Sequence, residues 1–410
     1  MTAAAKPLGP IPSGYETIGD ELVIGGHRVS ELTAGGTPLF VYSRTMLEAR
    51  MASLRAALPV GVGVHYAVKA NPYAPLLRLM AKLADGLDIA SAGELAAALS
   101  AGTDPAAISF AGPGKRDAEL EAAIAAGVTI NLESAREASR ALAIAERLAV
   151  RPRLAVRVNP AFDLRGSGMK MGGRASPFGI DEACAAGVIR QVVGAGADYR
   201  GLHIYAGSQS LDSGAIIGAQ AATLMLAERL AQECGVTPPT VNLGGGFGIP
   251  YFAGDRPVDI AAIGRALDEA ISASPLTAAG TRYHLELGRW LVGEAGVYLA
   301  RILDRKESGG ETFLVTDGGL HHQLAASGNF GTVVRRNYPV AIANRMNAPA
   351  EEIAHIVGCL CTPLDRLAER AALPVADVGD LVAVFCAGAY GASASPAAFL
   401  GQGPAAEVLV

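Results

Sequence analysis

The chain is short of cysteine, of charge and of long apolar runs, and each shortage closes off a class of protein. Five cysteines occur in 410 residues: Cys184, Cys234, Cys359, Cys361 and Cys386. A set so sparse and odd in number is not a disulfide framework and fits a reducing compartment. Cys359 and Cys361 lie one residue apart, which is not a zinc-knuckle spacing. No paired Cys/His set accompanies them, so no metal is expected. No apolar run is long enough to span a membrane. Residues 1–12 are rich in alanine and proline and lack a basic-then-apolar signal, which reads as a loose tail on a cytoplasmic protein. Charged residues make up 18% of the chain, the formal net charge is -5 and no lysine/arginine run occurs. Nucleic acid is therefore not an expected partner. Repeats and low-complexity segments are missing too.

What the chain has is length, apolar content and order. Half of its residues are hydrophobic, the profile of a globular α/β protein, and 410 residues predict two domains. From residue 40 to 287, short apolar runs recur at 62–68, 87–90, 108–111, 128–132, 154–158, 201–204, 241–243 and 283–287. Between most of them lie stretches of helical period, such as 74–83, 94–100, 133–148 and 216–234. Eight strand–helix units in this span predict a parallel, closed (β/α)8 barrel. An open doubly wound sheet would want a glycine-rich turn after its first strand, whereas Gly244, Gly245 and Gly246 follow the seventh. Beyond Glu286 the runs at 297–303, 313–315, 340–343, 353–357, 381–385 and 407–410 have no long helix between most of them, and 21–24 and 38–42 look similar. The expected division is a barrel over 36–285 and a β-rich domain made from 1–35 and 286–410. Residues 165–176, rich in Gly and Ser, are the candidate mobile loop.

In such a barrel the chemistry sits at the C-terminal ends of the strands. The first ends in Tyr66-Ala67-Val68-Lys69-Ala70-Asn71, where Lys69 could form a Schiff base in the barrel mouth or could simply snorkel outward. Asp88, ending the second, could pair with Lys69 or cap a turn. His203, in His203-Ile204-Tyr205-Ala206-Gly207-Ser208-Gln209, could stack on an aromatic cofactor or be a structural histidine. The backbone of Gly244, Gly245 and Gly246 could cradle a phosphate, which barrels often bind after strands seven and eight. Glu286, in Glu286-Leu287-Gly288-Arg289, could face a pyridinium nitrogen or pair with Arg289. Cys361 and Asp365 share a proline-stiffened turn, Gly358-Cys359-Leu360-Cys361-Thr362-Pro363-Leu364-Asp365. Tyr390 sits between small residues, where its hydroxyl could reach an anion or join the core. Taken in chain order these are the parts of a pyridoxal site: a lysine, a stacking ring, a phosphate cradle and a pyridinium partner.

With those motifs in place, the chain from about 38 to 410 resembles the fold-type III pyridoxal-phosphate decarboxylases. This family of alanine-racemase-like fold includes the diaminopimelate, ornithine and arginine decarboxylases. The resemblance implies pyridoxal 5'-phosphate held on Lys69, with His203 stacked on its ring, Glu286 at its nitrogen and Asp88 near the lysine. It implies Ser208, the three glycines, Gly288, Arg289 and Tyr390 around the phosphate or substrate, and Thr362 and Asp365 beside the substrate. Cys361 would protonate the substrate carbon. It also implies a homodimer, with the Cys turn of one subunit completing the site of the other. Alanine racemase shares the fold, but the Cys turn marks decarboxylases. A catalytically silent homologue is disfavoured by the presence of Lys69 and Cys361.

The departures concern the substrate. Diaminopimelate decarboxylases follow the Cys with Glu-Ser, whereas Thr362-Pro363 stands here. Their Arg-Pro-x-x-Tyr segment reads the distal end of the substrate; an alignment anchored on Tyr338-Pro339 puts Phe330 near the Arg and Val334 near the Tyr. The paired acids of ornithine decarboxylases are missing as well, with only Asp365 close. The strings Gly-Cys-Leu-Cys-Thr-Pro-Leu-Asp, Asp-Gly-Gly-Leu-His-His (317–322) and Gly-Met-Lys-Met-Gly-Gly (168–173) are similar to decarboxylases of secondary metabolism and of exosortase-linked clusters. A related butirosin enzyme acts on glutamyl groups tethered to an acyl-carrier protein. The expected substrate is therefore an amino acid, either carried on such a protein or free, with meso-diaminopimelate leading the free candidates. Arg335 and Arg336 could meet an acidic carrier protein or be solvated charges.

Overall fold

The apolar runs and the helical stretches between them close into a barrel. A computed structural model of the chain describes residues 4–164, 166, 168–328 and 335–410. Its barrel strands are β1 (Gly63–Ala67), β2 (Gly86–Ile89), β3 (Ile108–Phe110), β4 (Thr129–Leu132), β5 (Arg153–Asn159), β6 (Asp198–Ile204), β7 (Thr240–Gly245) and β8 (Arg282–Leu287). Neighbours are parallel throughout, and the pairings of β8 with β1 and of β4 with β5 complete the ring. All eight strands fall on the runs read from the sequence.

The local reasons are visible in single elements. In β1, Val64 and Tyr66 are fully buried, and by strand alternation His65 and Ala67 take the opposite face. The helix Ala135–Leu148 is capped by Ser134, which accepts the Glu137 amide at 3.1 Å. Its buried stripe is Ala138, Ala141, Ile144 and Ala145, and Ala149, at φ 54, ends it. Burying a side chain the size of Ile144 contributes about 1.5–3 kcal/mol.

The barrel interior departs from the usual layers of branched apolar side chains. His65, Ser109, Asn131, Asn242 and His284 make a polar layer, joined by an Asn131–Ser109 hydrogen bond of 2.6 Å and a His65–His284 ring stack. Nearer the C-terminal ends come Asp88, Arg157, His203 and Glu286, placed there by the strand registers.

The chain divides into two units. Met51–Gly248 and Pro257–Gly288 form the barrel unit; Met1–Arg50, Ile249–Arg256 and Arg289–Val410 form the other. The second unit holds a sheet ordered Val340–Ile342, Leu381–Val384, Gly296–Ser308, Glu311–Thr316, Glu352–Val357 and Arg366–Leu373. Leu39–Tyr42 pairs antiparallel with Gly296–Ser308 and parallel with Ala406–Leu409, so both ends of the chain enter one sheet. Leu22, Val41, Val297, Leu299, Ala383 and Phe385 belong to its core.

The two units divide the chain differently from the expected boundaries at two places. Leu39–Tyr42 and 249–256 lie outside the barrel unit, because both edges of Leu39–Tyr42 are already paired in the other sheet. Glu286 and Gly288 lie inside it, since β8 runs to Leu287. Arg366–Leu373, not singled out from the sequence, has a helix-forming composition but is a strand, pairing antiparallel with Glu352–Val357; tertiary pairing overrides propensity here. The loop at 165–176, two of whose residues fall outside the described ones, is tied to 206–209 by backbone bonds from Gly168 to Gln209 (3.2 Å) and Met171 to Ala206 (3.1 Å).

Candidate active site

Lys69 sits in the single turn Val68–Ala70 that follows β1. The turn is fixed by Tyr66, whose hydroxyl donates to the Asn71 carbonyl at 2.8 Å. The lysine side chain is 46% exposed, and its Nζ donates to Glu286 Oε1 at 3.4 Å. Glu286, only 5% exposed, shares its other oxygen with His203 Nε2 at 3.0 Å. Burial alone would raise the carboxyl's pKa, but the charge of Lys69, followed by the His203 hydrogen bond, outweighs it and holds the group well below its ordinary value. Glu286 is a buried, ionised carboxylate between an amine and an imidazole.

Asp88 is held differently from the pairing considered in the sequence. Its Oδ1 lies 3.3 Å from His65 Nδ1, and Lys69 meets Glu286 instead. The reason is register: β1 and β2 set Ala67 against Asp88 and put His65 one layer below. His65 stacks on His284 with ring centroids 4.2 Å apart. Burial works against a charge on His65, yet Asp88 raises its pKa overall, while burial and then His65 drive that of His284 well down.

Four residues of this site, His65, His284, Arg157 and Glu133, were not singled out from the sequence. Arg157 Nη1 donates to Glu133 Oε1 at 2.6 Å. Glu133 also accepts the amides of Gly112 (2.6 Å) and Gly179 (2.7 Å). Beside it, Lys115 is buried against both oxygens of Glu137. For Arg157 alone a signal was present in β5, Arg-Leu-Ala-Val-Arg-Val-Asn, where Arg153, Arg157 and Asn159 fall on one face.

The glycine turn ends β7. Gly244 and Gly246 have φ of 73° and 79°, a region that favours glycine. A Cβ at Gly245 would overlap the Glu286 carbonyl, and one at Gly246 the Gly207 carbonyl. The turn is thereby pressed against β8 and the segment carrying half-buried Ser208, leaving bare backbone at the strand ends. Gly288 follows β8 at the same end, where a Cβ would crowd Ala70.

The remaining candidates belong to the second unit. Arg289 Nη1 donates to the Tyr251 hydroxyl at 2.8 Å, and its guanidinium lies 4.7 Å from the Tyr390 ring; its Nε is buried without a partner among the described residues. Cys361 is exposed, and Thr362 Oγ1 accepts the Leu364 amide at 3.3 Å. Asp365, expected beside the substrate, is buried instead. Its Oδ1 takes the Leu320 amide at 2.6 Å and its Oδ2 the Leu360 amide at 2.9 Å. Gly319 and Gly358 pack directly on its carboxylate. It shapes the Cys turn rather than presenting a charge on it. Arg336 is exposed and lies over the Phe252 ring at 3.7 Å. Phe330 and Val334 lie outside the described residues.

The barrel residues fit a cofactor with an aldehyde, a pyridine nitrogen and a phosphate. They offer an amine for the first, a buried carboxylate for the second and a bare glycine turn for the third. Two buried atoms around Lys69, His203 Nδ1 and Asp88 Oδ2, have no protein partner among the described residues.

Comparison with known proteins gives the same answer. Residues 44–293 match the family model for the pyridoxal-binding domain of pyridoxal-dependent decarboxylases. The chain is 36% identical over 379 residues to the L-glutamyl-(BtrI acyl-carrier protein) decarboxylase of Niallia circulans, spanning 91% of this chain and 88% of that one. It is 32% identical over 399 residues to the diaminopimelate decarboxylase of Archaeoglobus fulgidus, spanning 97% and 93%. Among solved structures, diaminopimelate decarboxylase from M. jannaschii with L-lysine aligns at a TM-score of 0.87 and 26% identity, covering 97% of this chain and 93% of that chain.

Proposed function

The chain belongs to the pyridoxal-dependent decarboxylases, and on that premise we propose that it decarboxylates an amino acid carried as a thioester on an acyl-carrier protein. The family establishes the reaction class and the cofactor, pyridoxal 5'-phosphate. The observation that carries the substrate reading is Asp365. It is the one acid of the Cys turn, and both its oxygens are committed to buried backbone amides. The exposed part of the turn, from Cys361 to Leu364, bears no carboxylate for a distal ammonium group. A turn without that charge loses the discrimination a second charged head would need. The Niallia circulans relative acts on a carrier-bound glutamyl group, and exposed Arg336 offers a positive contact to an acidic carrier protein.

In this reading the bound cofactor supplies the electron sink for the electron pair left when carbon dioxide departs. Lys69 would hold its aldehyde, and Glu286, a carboxylate whose pKa is held low in this site, would hold a proton at the ring nitrogen. His203 would cover the ring face. The glycine turn, Ser208 and Gly288 would hold the phosphate, and Arg289 and Tyr390 are the residues the family resemblance assigns to the phosphate or the substrate carboxylate. Cys361 hands a proton to the substrate α-carbon. Its exposure fits a homodimer in which each subunit lends its Cys turn to the other. Five free cysteines, and no helix long and apolar enough to cross a membrane among the described residues, support a cytoplasmic enzyme.

A free substrate is the second reading, favoured by the diaminopimelate decarboxylases among the relatives. Carbon dioxide release from cofactor-loaded protein separates the two. Glutamyl and other aminoacyl thioesters on a carrier protein are compared with free diaminopimelate, ornithine, lysine, arginine and glutamate. Release from a thioester alone supports the proposal, and brisk release from free diaminopimelate replaces it with the second reading.

A further inference from the structure

The end of the barrel opposite Lys69 holds a cavity of about 640 Å³, a volume typical of small-molecule sites. The N-terminal ends of β5, β6 and β8 give it a rim of Arg153, Arg200 and Arg282, and the polar layer gives it a floor that includes His65, Asn131 and His284. In most such barrels this interior is filled by branched apolar side chains. Here Gly63, Ser109 and Ala155 leave the space open.

Arg200 is there because of a backbone irregularity. The register of β6 against β5 slips between Tyr199 and Gly201, inserting Arg200 as an extra residue close to Arg153. Gly201 has φ 109°, and a Cβ there would overlap the Thr240 carbonyl. The Thr240 hydroxyl then donates to the Arg200 carbonyl at 2.6 Å and fixes the bulge. Thr240 pairs in turn with Arg282. Arginines thus stand on three of four consecutive strands.

Their charges are unevenly answered. Arg55 at the rim pairs with Asp85 at 2.7 Å, and Arg200 reaches Asp198 at 3.5 Å. Asp104 caps a short turn, accepting the Ala106 amide at 2.9 Å. Arg153 and Arg282 have no carboxylate within ion-pair distance among the described residues. Arg153 donates to the Ala106 carbonyl at 3.0 Å, but its Nε is buried without a partner among the described residues. Burial, and then the charge of Arg200, depress its pKa against the opposing pull of the more weakly acting Asp198 and Asp104. Three guanidiniums around one mouth, two of them without an ion pair among the described residues, above a floor of hydrogen-bonding side chains, offer a site for a compact dianion. A phosphate monoester carries about −1.5 to −2, and guanidinium groups bind phosphate oxygens in a planar, two-bond geometry.

We propose that the N-terminal mouth of the barrel is a second binding site, which takes a small phosphorylated metabolite between Arg153, Arg200 and Arg282. Its phosphate meets the arginines, and the body of the metabolite extends toward Asn131 and the stacked histidines. The site is independent of the substrate reading above.

The test is calorimetric titration of the cofactor-loaded enzyme, whose cofactor phosphate site is already filled, in chloride buffer. The probes are glucose 6-phosphate, inorganic phosphate and malonate. Glucose 6-phosphate should bind one per chain, more tightly than malonate, and Arg282→Ala should weaken it about tenfold, the effect of a 1.4 kcal/mol loss. Arg153→Met combined with Arg282→Ala should abolish it, with turnover and cofactor absorbance unchanged. Arg282 is exposed, so its single variant folds. Inorganic phosphate binding with the same dependence on Arg282 would support the site and assign its affinity to the phosphate group. Absence of saturable binding, equal binding of malonate, or binding indifferent to Arg282→Ala would each overturn the proposal.

Discussion

Asp365 separates a residue that reads the substrate from one that builds the turn beside it. Asp365→Ala removes the acceptor of two buried amides, Leu320 at 2.6 Å and Leu360 at 2.9 Å. Each buried N–H left without a partner costs about 1–3 kcal/mol, so the pair costs about 2–6 kcal/mol. The wild-type carboxylate is itself penalised, since burial raises its pKa, and relief of that penalty places the expected loss near 2–4 kcal/mol. For a domain of 150–250 residues each kcal/mol lowers Tm by about 2–4 °C, which gives a fall of roughly 5–15 °C. Asp365→Asn keeps one good acceptor and should lose about half as much. The assay is thermal unfolding of the loaded enzyme, with kcat and KM measured well below the new Tm. The structure predicts a large fall in Tm with KM within about threefold of wild type. An unchanged Tm with a KM raised tenfold or more would show the carboxylate touching substrate and would refute the argument.

Other variants probe the barrel interior. Glu286→Gln should lower kcat about 10²–10³-fold, the usual cost of removing one preorganised charge-stabilising group, while the visible absorbance of the Lys69-bound cofactor persists; near-normal turnover would remove Glu286 from the chemistry. Glu133→Gln leaves Arg157 buried without its carboxylate and should cost about 3–5 kcal/mol in denaturant unfolding. Because the Glu133 pKa is lowered from 4.5 in the folded chain, its stabilisation is complete above that value and fades as pH falls through the lower folded value. The variant's acid unfolding should therefore be the shallower one. His65 has the opposite sign. Its pKa is raised from 6.5 by Asp88, so the pair's contribution is full below 6.5 and lost as pH rises through the folded value, a slope that His65→Gln should flatten. For the shared site, mixing Lys69→Ala with Cys361→Ala subunits should restore up to about a quarter of wild-type turnover through one repaired site per mixed dimer; no recovery would place both residues in one subunit's site.

The barrel was legible because each strand is a short apolar run flanked by helical period, and eight such units leave few arrangements. The positions of Lys69, His203, the glycine turn and Glu286 at strand ends follow from that count. Their partners do not. That Asp88 answers to His65 depends on the β1–β2 register, which no local pattern specifies. Glu133, just after β4, and Arg157, on β5, are 24 residues apart, and nothing local pairs them until the strands are laid side by side. Asp365 looked free because a loop acid usually is, and only the glycines at 319 and 358 hinted at a close approach. Arg366–Leu373 was hidden by its alanines and arginines, whose helical preference the sheet overrules. The placing of Arg200 beside Arg153 at the barrel's base depends on a one-residue bulge, which leaves no mark in the sequence beyond Gly201.

The central claim is that Lys69, beside Glu286 and His203 at the C-terminal end of the barrel, carries the cofactor. Borohydride reduction of the loaded enzyme, followed by peptide mass mapping, tests it directly, because the reagent turns the lysine–cofactor linkage into a stable secondary amine. The chain offers six lysines: Lys6, Lys69, Lys82, Lys115, Lys170 and Lys306. The account predicts one pyridoxyl group per chain, on the peptide containing Lys69, with Lys69→Ala taking up none. A stoichiometric adduct on any of the other five, or on none, would contradict it.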